Sequence, residues 1–335
     1  MTIEIIEPRP NRLILVTGGS GYVGSALVPR LAGTYSVRVA ETMNFGNPIA
    51  DTPNTEFVRC DITDQSSVEQ VMDGVTDVIH LAGIVTDELV DMNQSLGYRV
   101  NVDGARNVAQ AARSAGVDRF INMSSSSVYG TVVGDEAVTP QPQTAYAGQK
   151  LSAEQEIETA LDGHVTTTHI RSATLCGPAP RMRLDTVVNV FSKQAYYDRR
   201  ITVWGGQQYR SNIHVADVCD LYMLMLEAPA EMINGQRWNA VGSADKVLSI
   251  AEQVSNELYG YNAASVEIVV EDNPDNRSYQ MKGDKLSRWL GQGARRTLGD
   301  AARDNFWFFD GGGVDDPNSD IHYNTRRMAD VMKAG

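Results

Sequence analysis

Residues 12–24, RLILVTGGSGYVG, limit what this chain can fold into more than any other stretch. An aliphatic, β-branched run ends in glycines at 18, 21 and 24, and the SALVPRLAGT that follows has helical periodicity. A strand that turns into a helix through glycines requires positive φ and close backbone approach. The first N–H groups of such a helix are unpaired and suit the pyrophosphate of a dinucleotide. Gly18, Gly21 and Gly24, with Tyr22 and Val23 between them, are therefore candidate dinucleotide contacts. A second strand, VRVA, leads into Glu41 about 20 residues on, where a carboxylate accepts from an adenosine ribose and repels a 2′-phosphate. That favours NAD over NADP. Arg38 is nearby, and strand alternation leaves open whether it faces the ribose.

Short strand-like runs at 13–17, 37–40, 55–60, 77–83, 119–124 and 166–171 alternate with helix-length segments. This pattern predicts β-α-β units: an α/β fold with a doubly wound parallel sheet, Rossmann-like, covering residues 1–171. Beyond 171, Pro and Gly punctuation and amphipathic stretches near 183–199, 215–228, 247–258 and 284–291 predict a smaller, mostly helical substrate lobe over 172–305, with some segments returning to the sheet. Residues 306–335 read as a C-terminal tail that either docks on the body or a partner subunit or is only partly ordered, the reading favoured here. A helix is expected over 92–115, with Ala105, Ala109 and Ala112 on one face.

With 29 Lys and Arg against 42 Asp and Glu, the net charge of −13 argues against nucleic acid as a partner. No apolar run approaches the roughly 20 residues of a membrane span. Three cysteines without a C-x-x-C pair argue against a disulfide framework or a structural zinc, and the five histidines show no metal-like spacing. The cytoplasm is the expected location.

AYAGQK places Tyr146 and Lys150 four residues apart on one helix face. An ammonium beside a phenol favours the phenolate and so prepares it for general acid/base work. Together with TGGSGYVG, CDITD, HLAG, Asn101 in RVNVDGARN, SSSSVYG, RSATLCGP and GGQQYRSNIHVADV, this pair resembles the extended short-chain dehydrogenase/reductases, and within them the nucleotide-sugar epimerases and dehydratases. The resemblance covers nearly the whole chain. It implies NAD as cofactor, with Ser125 (four before Tyr129), Tyr146 and Lys150 as catalytic residues. Lys150 would lower the tyrosine pKa and bind the nicotinamide ribose. It adds Asp61 and Ile62 at the adenine, and Leu81, Ala82, Gly83, Asn101, Ser124 and Ser172 along the cofactor. A homodimer is implied, paired through the helices bearing Asn101 and Tyr146.

The resemblance also implies a nucleotide-diphosphate sugar as substrate, with Asn189, Arg210 and Arg277 on the diphosphate. Arginine suits that task because its fork grips phosphate oxygens bidentately. Ser125, Ser126 and Thr174 would face the sugar. Relatives that perform 4,6-dehydration carry Asp-Glu where this chain has Ser126 and Ser127, which disfavours that reaction; these serines either bind sugar hydroxyls or fill space. Arg181 and Arg183 either approach the substrate or lie on an exposed loop. The expected activity is a nucleotide-sugar 4-epimerase working through a 4-keto sugar. A C4 dehydrogenase or 4-ketoreductase is the alternative, and a non-catalytic NAD-binding protein a more remote one.

Overall fold

The computed structural model describes residues 12–272, 278, 280–291 and 293–334. Twelve strands form among them: β1 (Leu13–Thr17), β2 (Ser36–Glu41), β3 (Thr55–Arg59), β4 (Asp77–His80), β5 (Arg119–Ser125), β6 (Thr166–Ser172), β7 (Thr174–Cys176), β8 (Arg200–Trp204), β9 (Tyr209–His214), β10 (Gln236–Ala240), β11 (Ser243–Lys246) and β12 (Glu267–Glu271). Seven build one sheet in the order β10-β6-β5-β4-β1-β2-β3, every neighbour parallel.

Side-chain alternation explains why the central strands are continuously apolar. Ile14, Val16, Ile79, Ile121 and Ile170 enter one core with Leu27, Val28 and Leu31 of the helix Tyr22–Ala32 and Val218 and Leu221 of the helix Val215–Glu227. Leu15, Val78 and Phe120 point the other way, onto the helices Ala105–Ala115 and Ala145–Leu161. Strand order reverses between β1 and β4, so a crevice opens at their carboxyl ends. The glycine turn, Glu41, Leu81–Gly83, Ser125 and Ser172 all lie along this edge.

Three expectations are corrected. The helix over 92–115 is broken into Gln94–Tyr98, a π-helical turn Arg99–Gly104, and Ala105–Ala115. The wider turn carries Asn101, whose Oδ1 accepts from the Ile84 N–H (2.8 Å) while its Nδ2 donates to the Ile84 carbonyl (2.9 Å) and Gln149 Oε1 (3.0 Å). Ala105, Ala109 and Ala112 are buried in the chain's own core, so they do not form a face for a second subunit.

The C-terminal segment is also more than a partly ordered tail. The helix Leu298–Asp310, started by a Thr297–Asp300 capping box, runs through residue 306 and buries Phe306 and Phe309. The final helix, Asn324–Ala334, sets Met328 and Met332 against Ile84, Leu89 and Val90, the cluster on which Tyr146 also packs.

The second half carries its helices together with two small sheets, β11-β9-β7 and β12-β8, while β10 returns to the main sheet. These strands escape sequence reading because they are short and, as in YRSNIH, largely polar.

Candidate active site

Ser125 ends β5 and caps the 3₁₀ turn Ser126–Tyr129. Its Oγ accepts from the Ser127 N–H (3.2 Å) and from the Ser127 hydroxyl (2.9 Å). With both donors supplied by Ser127, the proton of Ser125 is left for the Tyr146 phenol oxygen, and this hydrogen bond favours the phenolate. Tyr146 starts the helix Ala145–Leu161, whose N-cap Thr144 accepts from the Ala147 N–H and donates to Asp87 (2.7 Å). Burial raises the phenol pKa, opposed by Ser125 and the positive charge of Arg183.

Lys150 is 9% exposed and donates to the Met123 carbonyl (2.6 Å), and burial lowers its pKa to about 8. The positive charge of Arg183 favours the Tyr146 phenolate. One turn further, Glu154 is 1% exposed and holds Arg171 bidentately (2.9 and 2.7 Å). Arg171 in turn donates to the Tyr129 hydroxyl (3.1 Å), which donates to Asn239 (2.8 Å). This buried network underlies the turn that carries Ser125.

The dinucleotide candidates gather at the crevice. Gly18 has φ +73°, and a Cβ there would sit 2.7 Å from the Ala82 nitrogen, so β4's continuation passes where any side chain would stand. At Gly24 a Cβ would meet the Gly19 backbone at 2.5 Å. No side chain caps the helix Tyr22–Ala32. A glycine cradle leading to an uncapped helix start fits a pyrophosphate.

Glu41 ends β2, its carboxylate accepting from the Thr42 N–H (2.8 Å) and hydroxyl (3.1 Å). Arg38 turns away to Glu56 (2.7 Å) and the Val71 and Asp73 carbonyls. Asp61 accepts from Thr63, Ile62 is buried, and Leu81 is tied to β1 through Thr17. Ser124 is buried against Glu154, and Ser172 donates to the Ala173 carbonyl (2.9 Å). The Tyr22 side chain faces the second half of the chain, donating to the Gly177 carbonyl.

The substrate-side candidates are less coherent. Asn189 is fully buried with its amide consumed inside the protein: Oδ1 accepts from Gly177 (2.9 Å) and Asn305 (3.0 Å), and Nδ2 donates to Tyr22 (3.0 Å) and the Arg183 carbonyl (2.9 Å). It is a structural knot, with no donor left for a diphosphate. Arg210 lies half-buried on β9 with its Nη1 on the Tyr209 carbonyl (2.9 Å), and Thr174 sits half-buried on β7. Ser126 opens the 3₁₀ turn next to Ser125. Arg277 lies outside the described residues.

The loop after β7 holds two arginines of unlike kind, neither exposed. Arg183 pairs with Asp185 (2.8 Å), whereas Arg181, 4% exposed, has no carboxylate within ion-pair distance among the described residues. Sequence reading also missed Gln149, Glu154 and Arg171 as parts of the site; the position of Glu154 four residues after Lys150 on the same helix face was the available signal.

The sequence pattern of the NAD dependent epimerase/dehydratase family matches residues 14–240. The chain is 29% identical over 299 residues to UDP-glucose 4-epimerase from Mycolicibacterium smegmatis, covering 85% of this chain and 92% of that protein. It is 30% identical over 233 residues to dTDP-glucose 4,6-dehydratase from Streptomyces niveus, covering 64% and 68%. In fold it resembles UDP-glucuronic acid 4-epimerase from Bacillus cereus in complex with UDP-glucuronic acid and NAD, with TM-score 0.78, 24% identity and coverage of 89% and 99%.

Proposed function

The chain belongs to the NAD dependent epimerase/dehydratase family, and from that premise we propose that it is a nucleotide-sugar 4-epimerase. The observation that carries this reading is the turn after Ser125. It supplies the hydroxyls of Ser126 and Ser127 and no carboxyl, so the turn holds a relay for a hydroxyl proton and lacks an acid and base for eliminating water.

When bound, NAD would supply the hydride acceptor for the sugar carbon and the hydride for its return. Tyr146 takes the sugar hydroxyl proton as the carbonyl forms and returns it when the alcohol is restored. Ser125, its oxygen filled by Ser127, donates toward the phenol oxygen and stabilises the phenolate. The positive charge of Arg183 acts in the same direction. Lys150, anchored on the Met123 carbonyl, stands one helical turn from the tyrosine and would hold the nicotinamide ribose.

The test is to incubate the protein with NAD and a panel of UDP-, dTDP-, GDP- and CDP-sugars, following absorbance at 340 nm and product identity by NMR. The expected result is a 4-epimer with no net NADH. Stoichiometric NADH with a keto sugar would replace the proposal with a C4 dehydrogenase, and a 4-keto-6-deoxy product would replace it with a dehydratase.

A further inference from the structure

We propose that Arg181 is the cation that grips the pyrophosphate of the bound dinucleotide, reaching from the second half of the chain to the start of the helix Tyr22–Ala32. The proposal rests on NAD being the cofactor and is independent of the sugar chemistry.

The placement is given by three contacts and one unpartnered donor. The Arg181 backbone N–H donates to Ser25 Oγ in the first turn of that helix (3.0 Å). The guanidinium lies over the Phe45 ring, 4.0 Å from its centroid, in the loop that leaves β2. Nη2 donates to Asn324 Oδ1 (2.5 Å) at the start of the final helix. Nε is buried and has no partner. The side chain therefore stands between the uncapped helix start and the loop beyond Glu41, with one N–H of its fork unused.

A guanidinium this buried is costly unless an anion faces it. The protein's other deeply buried arginines meet that need internally: Arg12 pairs with Asp77 (2.5 Å) and Arg171 with Glu154 (2.7 Å). Carboxylates are abundant in a chain of net charge −13, yet none within ion-pair distance serves Arg181 among the described residues. Burial and the like charge of Arg183 also lower its pKa to about 9, against the more distant Asp185 and Glu41, which raise it, and a bound anion offsets what remains of that penalty. A pyrophosphate supplies the missing charge, and its oxygens match a planar fork bidentately. The nearest alternative diphosphate is that of the nucleotide sugar. The contacts to Ser25 and Phe45 place Arg181 on the cofactor side instead.

Isothermal titration of the full chain with NAD, adenosine diphosphoribose, adenosine and UDP tests this in wild type, Arg181→Met and Arg181→Lys. Arg181→Met is expected to weaken NAD and adenosine diphosphoribose by about 10- to 100-fold, the range of a charge-assisted hydrogen bond, with adenosine and UDP unchanged. Arg181→Lys, which keeps a charge and loses the fork, should fall between. Unchanged affinity for adenosine diphosphoribose in a folded variant overturns the proposal, as does a loss confined to UDP. If Arg181→Met does not fold, Arg181→Lys decides by the same criterion. Failure of the wild type to bind adenosine diphosphoribose sinks both the proposal and the NAD reading. An intact NAD site without epimerisation leaves the proposal standing and sinks only the sugar chemistry.

Discussion

The floor beneath Ser125 and the rim over the glycine turn treat buried charge in opposite ways. On the floor, Arg171 is gripped at two points by Glu154 and shares Tyr129 with Asn239, so this guanidinium is matched within the chain. On the rim, Arg181 is as deeply buried and meets an aromatic face and an amide, with no carboxylate within ion-pair distance among the described residues. The floor is finished by folding, and the rim is left for a ligand to finish. An internally matched network positions groups to within fractions of an ångström, which a serine-to-tyrosine proton relay needs. A binding edge needs unspent donors.

The largest effect should come from breaking the floor. Glu154→Gln leaves Arg171 buried beside a neutral amide and is expected to cost about 3–5 kcal/mol of stability, read as the midpoint shift in urea unfolding. Arg181→Met in the ligand-free protein should change stability by less than about 1 kcal/mol, or raise it, because it removes an unmatched charge. Equal losses for the two variants would erase the distinction between floor and rim.

Lys150 sharpens the comparison, since it is a cation on the floor matched only by a carbonyl. Its pKa is about 8 in the folded chain against an ordinary 10.5. Between those values the unfolded chain binds the extra proton, so this group's contribution to stability rises with pH there, and its full cost is present below pH 8. Wild type should therefore gain about 3 kcal/mol relative to Lys150→Met between pH 8 and 10.5. A pH-independent difference in unfolding midpoints would show that the ammonium is better solvated than this geometry allows.

Ser127→Ala removes the hydroxyl that turns the Ser125 proton toward Tyr146 while leaving the Ser127 N–H in place. The expected result is a fall in kcat of about tenfold, the upper reach of one net neutral hydrogen bond, with KM little changed. A shift of the acidic limb of the kcat profile toward higher pH should accompany it, because the phenolate loses support. A loss confined to KM would place Ser127 on the sugar instead.

Much of the floor was legible in the sequence because it rests on local spacing. The central strands of the main sheet are runs buried on both faces, and Ser125, Tyr146 and Lys150 are set by positions within one turn or one helix. What was missed depends on contacts between distant residues. Asn189 has the residue type of a diphosphate ligand, but contacts to Tyr22, 167 positions away, and Asn305, 116 away, consume its amide. Arg183 acts on Tyr146 and the final helix covers Ile84 only through the tertiary fold. The π turn at Asn101 adds no sequence signature to a stretch already helical in pattern.

The smallest expected effect lies at the adenosine end of the rim, where two charged residues three apart on β2 part company. Arg38 faces Glu56 and the Val71 and Asp73 carbonyls, on the side away from the crevice. Glu41 lies at the strand end with one carboxylate oxygen on Thr42. Only Glu41 is then placed to repel a 2′-phosphate. Glu41→Gln should narrow the preference for NAD over NADP by about tenfold, the cost of one like-charge contact largely screened by water, while Arg38→Ala should leave the ratio of the two dissociation constants within about twofold. If Arg38→Ala moves that ratio and Glu41→Gln does not, charge selection belongs to the opposite face of β2 and the assignment of the ribose to Glu41 is lost. The pyrophosphate proposal for Arg181 survives that result, because the ribose hydroxyls and the phosphates are read by different side chains.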